Sequence, residues 1–278
     1  MYILADPLAF IIRPIYNLIQ NYGLTLIIVT ILIRLITIPL TVMSQKSVAK
    51  TQLIQPEMMK IQEKYKNDKN KQSIELQKLY QKHNVNPLGG CLPLIVQMFV
   101  LFGFIGVIYN PLEYILQLSK EQISAISQAV GATKSTYQVT LCGMQGVAEQ
   151  IKELGLTPIN FNFYGIDLTR ILKGNEKDLM MWIFPVLAVV ATYISGYITK
   201  KQTPQPAPSK NGEVEPPNMA NSMMTIMPIM TAIFTYTMPA GMSLYWFVST
   251  AFQILQQTLI NKIINKKEKE EIEGKRKR

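Results

Sequence analysis

The sequence is poor in the residues from which most enzyme sites are built. It has two cysteines, Cys91 and Cys142, and one histidine, His83, among its 278 residues. These numbers argue against a disulfide scaffold and against an ordinary Cys/His zinc site. The sequence also has no HExxH, GxxxxGK[ST] or GxSxG stretch, so the common hydrolase and ATPase chemistries have no signature here. We expect no catalytic residues, no metal and no cofactor.

Long uncharged runs are what the sequence has instead. Crossing a bilayer takes roughly 20 apolar residues in a helix. The runs near or above this length are residues 24–43, which contain one charge, 91–109, 179–198 and 222–260. The last run is too long for one crossing, and the alternative of a single kinked helix would overshoot the bilayer roughly twofold. It has Met238-Pro239-Ala240-Gly241 near its centre, which is typical of a turn. We therefore predict helices over 222–238 and 242–260 joined by an outer turn at 239–241, and five transmembrane helices in all.

The charged residues indicate the orientation of the chain. Residues 44–90 hold nine Lys and four acidic residues, and the tail 261–278 holds eight basic and four acidic residues. Residues 110–178 hold six basic and seven acidic residues. Because positive loops stay in the cytoplasm, we expect 44–90 and the basic tail to be cytoplasmic, and the N-terminus and 110–178 to be outside. Cys91 and Cys142 would then lie on opposite sides of the membrane and never pair.

Three segments outside the spans have patterns of their own. In residues 1–23 apolar residues recur at helical spacing, which predicts an amphipathic helix in the outer interface and no cleavable signal. An unprocessed anchor or a frayed end is the alternative. Residues 44–90 carry two narrow apolar stripes, broken near residues 67–70, which predicts a cytoplasmic helical hairpin. Residues 199–221 form a Pro-rich cytoplasmic linker. The fold class is thus an all-α membrane protein.

Arg34 is the most informative residue, because it falls near the middle of the first predicted span. An Arg there costs roughly 2.5–3.5 kcal/mol on insertion scales, and the sequence has no Asp or Glu in any predicted span. We predict a hydrated cavity that offers this positive charge to a visiting group. The alternative is a structural Arg34 that snorkels or caps backbone carbonyls. The polar residues expected to share the cavity are Thr30, Thr37, Gln97, Gln253 and Gln256.

Five stretches carry a resemblance to a known family. They are Tyr22-Gly23-Leu24 through Arg34 to Pro39-Leu40, Gln55-Pro56-Glu57 with Lys64-Tyr65-Lys66, Asn84-Val85-Asn86-Pro87-Leu88-Gly89-Gly90-Cys91-Leu92-Pro93 leading into Gln97-Met98, Gly165-Ile166-Asp167-Leu168, and Met238-Pro239-Ala240-Gly241-Met242 with Leu244-Tyr245-Trp246. With them, the chain resembles the YidC/Oxa/Alb family of membrane protein insertases over residues 7–260, most closely its five-span Gram-positive bacterial members. Three features depart from the family pattern. Phe99 stands where Pro is usual, Ser249-Thr250 replaces a common Asn, and residues 120–156 suggest added helical structure.

The resemblance implies a multi-pass protein of the bacterial plasma membrane with a groove open to cytoplasm and lipid and closed outside. The Arg that matches Arg34 attracts acidic residues in the outer tail of a nascent membrane protein substrate, and the insertase spends no ATP itself. The cytoplasmic hairpin receives the substrate, for which we expect contacts from Met58, Met59, Tyr65 and Tyr80. Members also work beside the Sec translocon. A basic end such as Lys275-Arg276-Lys277-Arg278 suits the ribosome or anionic membrane lipids, although fixing the topology is its commonest role.

Two other classes of function remain open at this point. A small transporter or channel could use Arg34 to bind an anionic solute, but the five spans show no internal repeat of the kind common in transporters. A membrane-embedded enzyme is the weakest of the three, because the sequence offers no nucleophile, base and metal-ligand set.

Overall fold

The computed structural model describes residues 4–86, 92–133, 136–202 and 219–276, and these residues are mostly helical. The helices are α1 Ala5–Ile19, α2 Tyr22–Ile36, α3 Ile38–Leu53, α4 Gln55–Lys64, α5 Lys69–Lys82, α6 Leu92–Tyr109, α7 Pro111–Tyr114, α8 Lys120–Ala129, α9 Gln138–Cys142, α10 Val147–Glu153, α11 Ile183–Gln202, α12 Met219–Thr237 and α13 Ala240–Arg276. A short 3-10 helix, Leu179–Trp182, precedes α11. Strands β1, Asn162–Phe163, and β2, Ile166–Asp167, form an antiparallel hairpin that the all-α prediction missed.

The lengths and hydropathies of the helices support some of the predicted spans. Within the described residues one helix, Leu179–Lys201, is long and apolar enough to cross a bilayer by itself. Tyr22–Ile36 and Ile38–Thr51 qualify together as one broken span, and Ile95–Tyr109 and Thr225–Thr237 are shorter apolar helices. The count of five spans therefore stays a prediction.

The single helix predicted over residues 24–43 is interrupted. Helix α2 ends at Ile36 and α3 begins at Ile38, so Thr37 separates them. The cause lies two residues further on, at Pro39. Proline has no N–H to donate, and its ring clashes with the carbonyl four residues earlier, which belongs to Leu35.

The chain divides into two compact units. The first consists of residues 1–35, 97–192 and 228–252, and the second of residues 36–96, 193–227 and 253–278.

In the first unit, α1 packs closely on α6. A Cβ added to Gly106 would lie 2.6 Å from Cβ of Ala5, so the small residues allow the two helices to approach. The buried side chains of α1 are Ala5, Leu8, Ala9, Ile12 and Tyr16. Two apolar residues point the other way, with Phe10 81% and Leu18 85% exposed. Helix α1 is therefore apolar on more than its packed face.

Helices α7 to α10 build a small cluster of their own within the first unit. Its buried members are Leu112, Leu118, Ile126, Leu141, Val147 and Ile151. Helix α8 begins with a capping box, in which Ser119 and Gln122 satisfy each other's backbone N–H. Helices α8, α9 and α10 show that residues 120–156 are partly helical, as predicted; that this segment is an addition to the family pattern stays a prediction.

The segment after β2 holds the turn between α12 and α13. The N–H of Ala240 donates to the Arg170 carbonyl at 2.8 Å, and the N–H of Gly241 donates to the Leu168 carbonyl at 3.0 Å. Ile171 and Pro239 form an isolated antiparallel bridge. These backbone bonds fix the start of α13, on which part of the candidate site lies.

In the second unit, α4 and α5 form the helical hairpin that the sequence predicts. Ile54, Leu79 and Val85 are its buried core. The turn comes slightly earlier than residues 67–70, because Asp68 caps α5 by accepting from the Lys71 N–H at 3.0 Å.

Helix α13 is longer than the predicted span 242–260. It continues to Arg276 through most of the stretch expected to be a tail. This stretch is rich in Lys and Glu, which are good helix formers, and its one glycine stands at residue 274. Lys277, Arg278 and most of the predicted linker, residues 203–218, lie outside the described residues.

Candidate functional site around Arg34

Arg34 lies on the last turn of α2, where the apolar run has carried it to the interior of the first unit. Its side chain is half-buried. Nη2 donates a hydrogen bond to Oγ of Ser249 at 2.5 Å. Ser249 lies on α13 and is buried, so the guanidinium is held inside the helix assembly.

Two further side chains extend this contact into a chain of hydrogen bonds. Tyr245 lies one turn before Ser249 on α13, and residues four apart share a helix face. The Tyr245 hydroxyl is hydrogen-bonded to Ser249 and accepts from Nε2 of Gln97 on α6 at 3.1 Å. We call Arg34, Ser249, Tyr245 and Gln97 the Arg34 cluster.

The Arg34 cluster rests on apolar packing. The Tyr245 ring is 1% exposed and stacks on Phe104, with ring centroids 4.1 Å apart. Phe104 is fully buried beside other core residues such as Leu26 and Val29. Since a polar group packed among apolar side chains is costly unless it is hydrogen-bonded, the chain of bonds stabilises each member.

The predicted cavity residues are divided between the two units. Gln97 belongs to the Arg34 cluster, and Thr30 is buried and donates to the Leu26 carbonyl of its own helix at 2.6 Å. Thr37, Gln253 and Gln256 belong to the second unit. In that unit Gln256 is buried and Gln253 is exposed.

Sequence reasoning missed Ser249 and Tyr245 as partners of Arg34. In the sequence, Tyr245 belongs to a stretch that carries the resemblance and Ser249 to a departure from the family pattern. A usable signal was present, because two hydroxyl side chains four residues apart lie on one face of a helix.

The four hairpin residues differ in their surroundings. Met58 and Tyr80 pack against the core of Ile54, Leu79 and Val85, while Met59 and Tyr65 are half-buried. The Lys64 ammonium lies 5.3 Å from the centre of the Tyr65 ring.

The Arg34 cluster consists of a guanidinium, two hydroxyl groups and a carboxamide. Within the described ranges no three His, Cys, Asp or Glu side chains come together in a way that could hold a metal ion. Burial raises the pKa of the Cys142 thiol, which keeps it protonated and weakly nucleophilic. Cys91 lies outside the described residues, so the prediction that the two cysteines never pair is untested. What the cluster offers is an oriented cation.

Apolar helices with a cationic cluster among them are compatible with the class of integral membrane proteins, and the family match assigns the chain to that class. A family model described as "60Kd inner membrane protein" matches residues 14–268. The chain belongs to this family, as the resemblance seen in its motifs predicted.

Three relatives illustrate the likeness. The membrane protein insertase YidC of Fusobacterium nucleatum is 30% identical over 255 residues, covering 92% of this chain and 93% of that protein. The membrane protein insertase MisCA of Bacillus subtilis is 33% identical over 245 residues, covering 87% of this chain and 70% of that protein. The membrane protein insertase YidC of Wolinella succinogenes is 28% identical over 267 residues, covering 95% of this chain but 38% of that protein. The chain therefore spans most of the first two relatives and little more than a third of the last.

Proposed function

We propose that the protein is a membrane protein insertase that moves the short outer tails of nascent membrane proteins across the bilayer. One observation carries the proposal. The Arg34 guanidinium is held within apolar helices by Ser249, at the end of a chain of hydrogen bonds. The names of the relatives, which are insertases, point the same way.

The hydrogen bond to Ser249 orients the Arg34 guanidinium, and the serine hydroxyl itself carries no charge. An acidic residue of a substrate tail is attracted to this charge. At about 4 Å and an effective dielectric constant of about 20, opposite unit charges attract by about 4 kcal/mol. Placing an Asp at the bilayer centre costs roughly 2.5–3.5 kcal/mol on insertion scales. The attraction thus offsets the cost for one acidic residue, and no ATP is needed at this step.

The topology that suits this function has five crossings, with the N-terminus outside and the C-terminus in the cytoplasm of a bacterial cell. Helix α1 would lie in the outer interface, with the exposed Phe10 and Leu18 in lipid. The exposed apolar side chains of α11, such as Val186 and Val190, would also contact lipid. The acidic balance of residues 110–178 and the basic balance of 44–90 agree with this orientation.

The cytoplasmic parts have proposed partners of their own. The α4–α5 hairpin would receive the substrate, with Met59 and Tyr65 as the contacts least committed to its core. Methionine suits this role because its flexible side chain adapts to varied apolar partners. The basic residues Lys275–Arg278 would contact the ribosome or anionic lipids, and the protein would work with or without the Sec translocon.

The experiment uses proteoliposomes with a single-span substrate that has an acidic outer tail. Wild-type vesicles should protect the tail from external protease, whereas empty vesicles and Arg34→Ala vesicles should not. Anionic solute uptake by the same vesicles serves as a control. Protection in empty vesicles would contradict an insertase, and solute uptake that depends on Arg34, without insertion, would favour a transporter.

A further inference from the structure

The tip of the β1–β2 hairpin is occupied by an exposed tyrosine. Tyr164 and Gly165 form the two-residue turn and both have positive φ, 50° and 83°. Residues other than glycine rarely adopt this left-handed backbone conformation, and Asn or Gly is the usual residue in such a turn. The Tyr164 ring meets Phe163 edge to face at 4.8 Å, yet the residue is 82% exposed. Most of the Tyr164 surface is therefore accessible to a partner or a solvent outside the chain.

The base of the hairpin is firmly packed. Phe163 is buried and lies against Gly23 of α2, where an added Cβ would overlap its ring. Its ring also lies 6.0 Å from that of Phe184 on α11. The exposed tyrosine is thus carried on a rigid support.

The tip continues into an apolar surface at the start of α11. A Cβ added to Gly165 would lie 4.0 Å from Cε of Met180, so the turn and the 3-10 helix are neighbours. Leu179 is 82% exposed, and Met180 and Trp182 are also exposed. We call Tyr164, Leu179, Met180 and Trp182 the tip patch.

Two features of the tip patch suit the boundary between water and lipid. The indole N–H of Trp182 donates to the Glu176 carbonyl at 3.0 Å, so the polar edge of the ring is satisfied, and the residue is 39% exposed. Lys173 and Lys177 are exposed in the same loop, where ammonium groups can meet lipid phosphates. Tyr and Trp are enriched at membrane interfaces for this combination of a polar and an apolar end.

The tip patch also lies at the end of an exposed apolar stripe. The exposed residues Ile183, Val186, Leu187 and Val190 follow Leu179 at helical spacing, on one face of the helix that is able to cross a bilayer by itself. An exposed apolar face on a membrane-spanning helix lies against lipid. Because this face of α11 continues into the tip patch, lipid is the partner that the tip patch suits as well.

We propose that the tip patch is an anchor inserted into the outer leaflet of the bilayer. Tyr164 and Trp182 lie among the lipid headgroups, Leu179 and Met180 contact the upper acyl chains, and Lys173 and Lys177 pair with phosphates. The anchor rests on the outward placement of residues 110–178 proposed above. It holds the loop that pins the α12–α13 turn at a fixed depth in the membrane.

The test places single tryptophans in proteoliposomes of phosphatidylcholine and phosphatidylglycerol whose chains are brominated close to the headgroup. The chain has two tryptophans, Trp182 and Trp246. In a Trp182→Phe/Trp246→Phe background, Tyr164→Trp reports on the tip and Leu154→Trp is the control. Leu154 is exposed at the end of α10, outside the patch. A third protein, Trp246→Phe alone, keeps the native Trp182 as a probe and leaves the patch unaltered.

We expect the brominated lipid to quench Tyr164→Trp and the native Trp182 several-fold more than Leu154→Trp. Iodide added outside the vesicles should give the reverse order. Equal quenching of all three probes by iodide, without quenching by the brominated lipid, would overturn the anchor. If insertion by the same vesicles is normal in that case, the anchor fails while the proposed function stands. Quenching by iodide trapped inside outward-oriented vesicles would overturn the anchor together with the topology.

Discussion

The bond between Arg34 and Ser249 should be measurable as a coupling energy. Hydrogen bonds with a charged partner contribute about 1.5–3 kcal/mol in soluble proteins, but polar pairs inside membrane proteins average about 0.6 and reach about 1.7 kcal/mol. Arg34 is half-buried and the bond is short, at 2.5 Å. We therefore expect a coupling of about 1 kcal/mol between the two side chains.

The assay is a double-mutant cycle of Arg34→Met and Ser249→Ala, with unfolding by SDS in mixed micelles. Ser243→Ala is a matched control. Ser243 is a buried serine of the same helix, and its hydroxyl donates to the Thr235 carbonyl at 3.4 Å. The control should couple to Arg34→Met by less than the scatter between repeats. If the coupling energy between Arg34→Met and Ser249→Ala is zero, or if Ser243→Ala couples to Arg34→Met equally, the Arg34 cluster does not support Arg34.

Two further substitutions test the packing and electrostatics of the first unit. Gly23→Ala should lower the free energy of unfolding by about 1–3 kcal/mol, because the new methyl group overlaps Phe163; an unchanged thermal midpoint would show that the hairpin gives way. Hydrogen bonds from the Gly174 N–H and the Tyr236 hydroxyl hold the pKa of Glu176 at about 2, below its ordinary value of 4.5. The stability that they confer is present above pH 4.5 and is lost as the pH falls towards 2, so the thermal midpoint of Glu176→Gln should fall less over that range. Parallel pH profiles for the two proteins would contradict this assignment.

Much of the helical fold could be predicted because hydrophobic runs, charges and turn residues are local signals. The hairpin of α4 and α5 and the turn at Pro239 were found in this way. The break at Thr37 was missed because the apolar run of residues 24–43 continues through Pro39. The β1–β2 hairpin was missed because its turn has Tyr164 at the position where Asn would be the usual sequence signal of a hairpin. The extension of α13 beyond residue 260 was missed because a stretch of mixed charge is compatible with a tail as well as with an exposed helix.

The position of Arg34 could be predicted from the sequence, but its hydrogen-bond partner Ser249 could not. The depth of Arg34 follows from the apolar residues around it, so its place inside the first unit could be predicted from the sequence, and its role in substrate binding stays a prediction. Ser249 is 215 residues away in the chain, and no local pattern joins the two. Thr30 shares a helical face with Arg34, but its hydroxyl is used by its own helix. Periodicity identifies which residues share a face, while hydrogen bonds decide which of them act together.

The most direct measurement compares two substrates that differ only in their outer tails, one with Asp and one with Asn at the same positions. Proteoliposomes of the wild type and of Arg34→Gln are assayed for the rate at which each tail becomes protected from protease. The account predicts that the wild type inserts the Asp tail faster, and that Arg34→Gln removes this preference while both proteins remain folded. A preference for the Asp tail that survives in Arg34→Gln would contradict the role of Arg34 as the group that attracts the substrate.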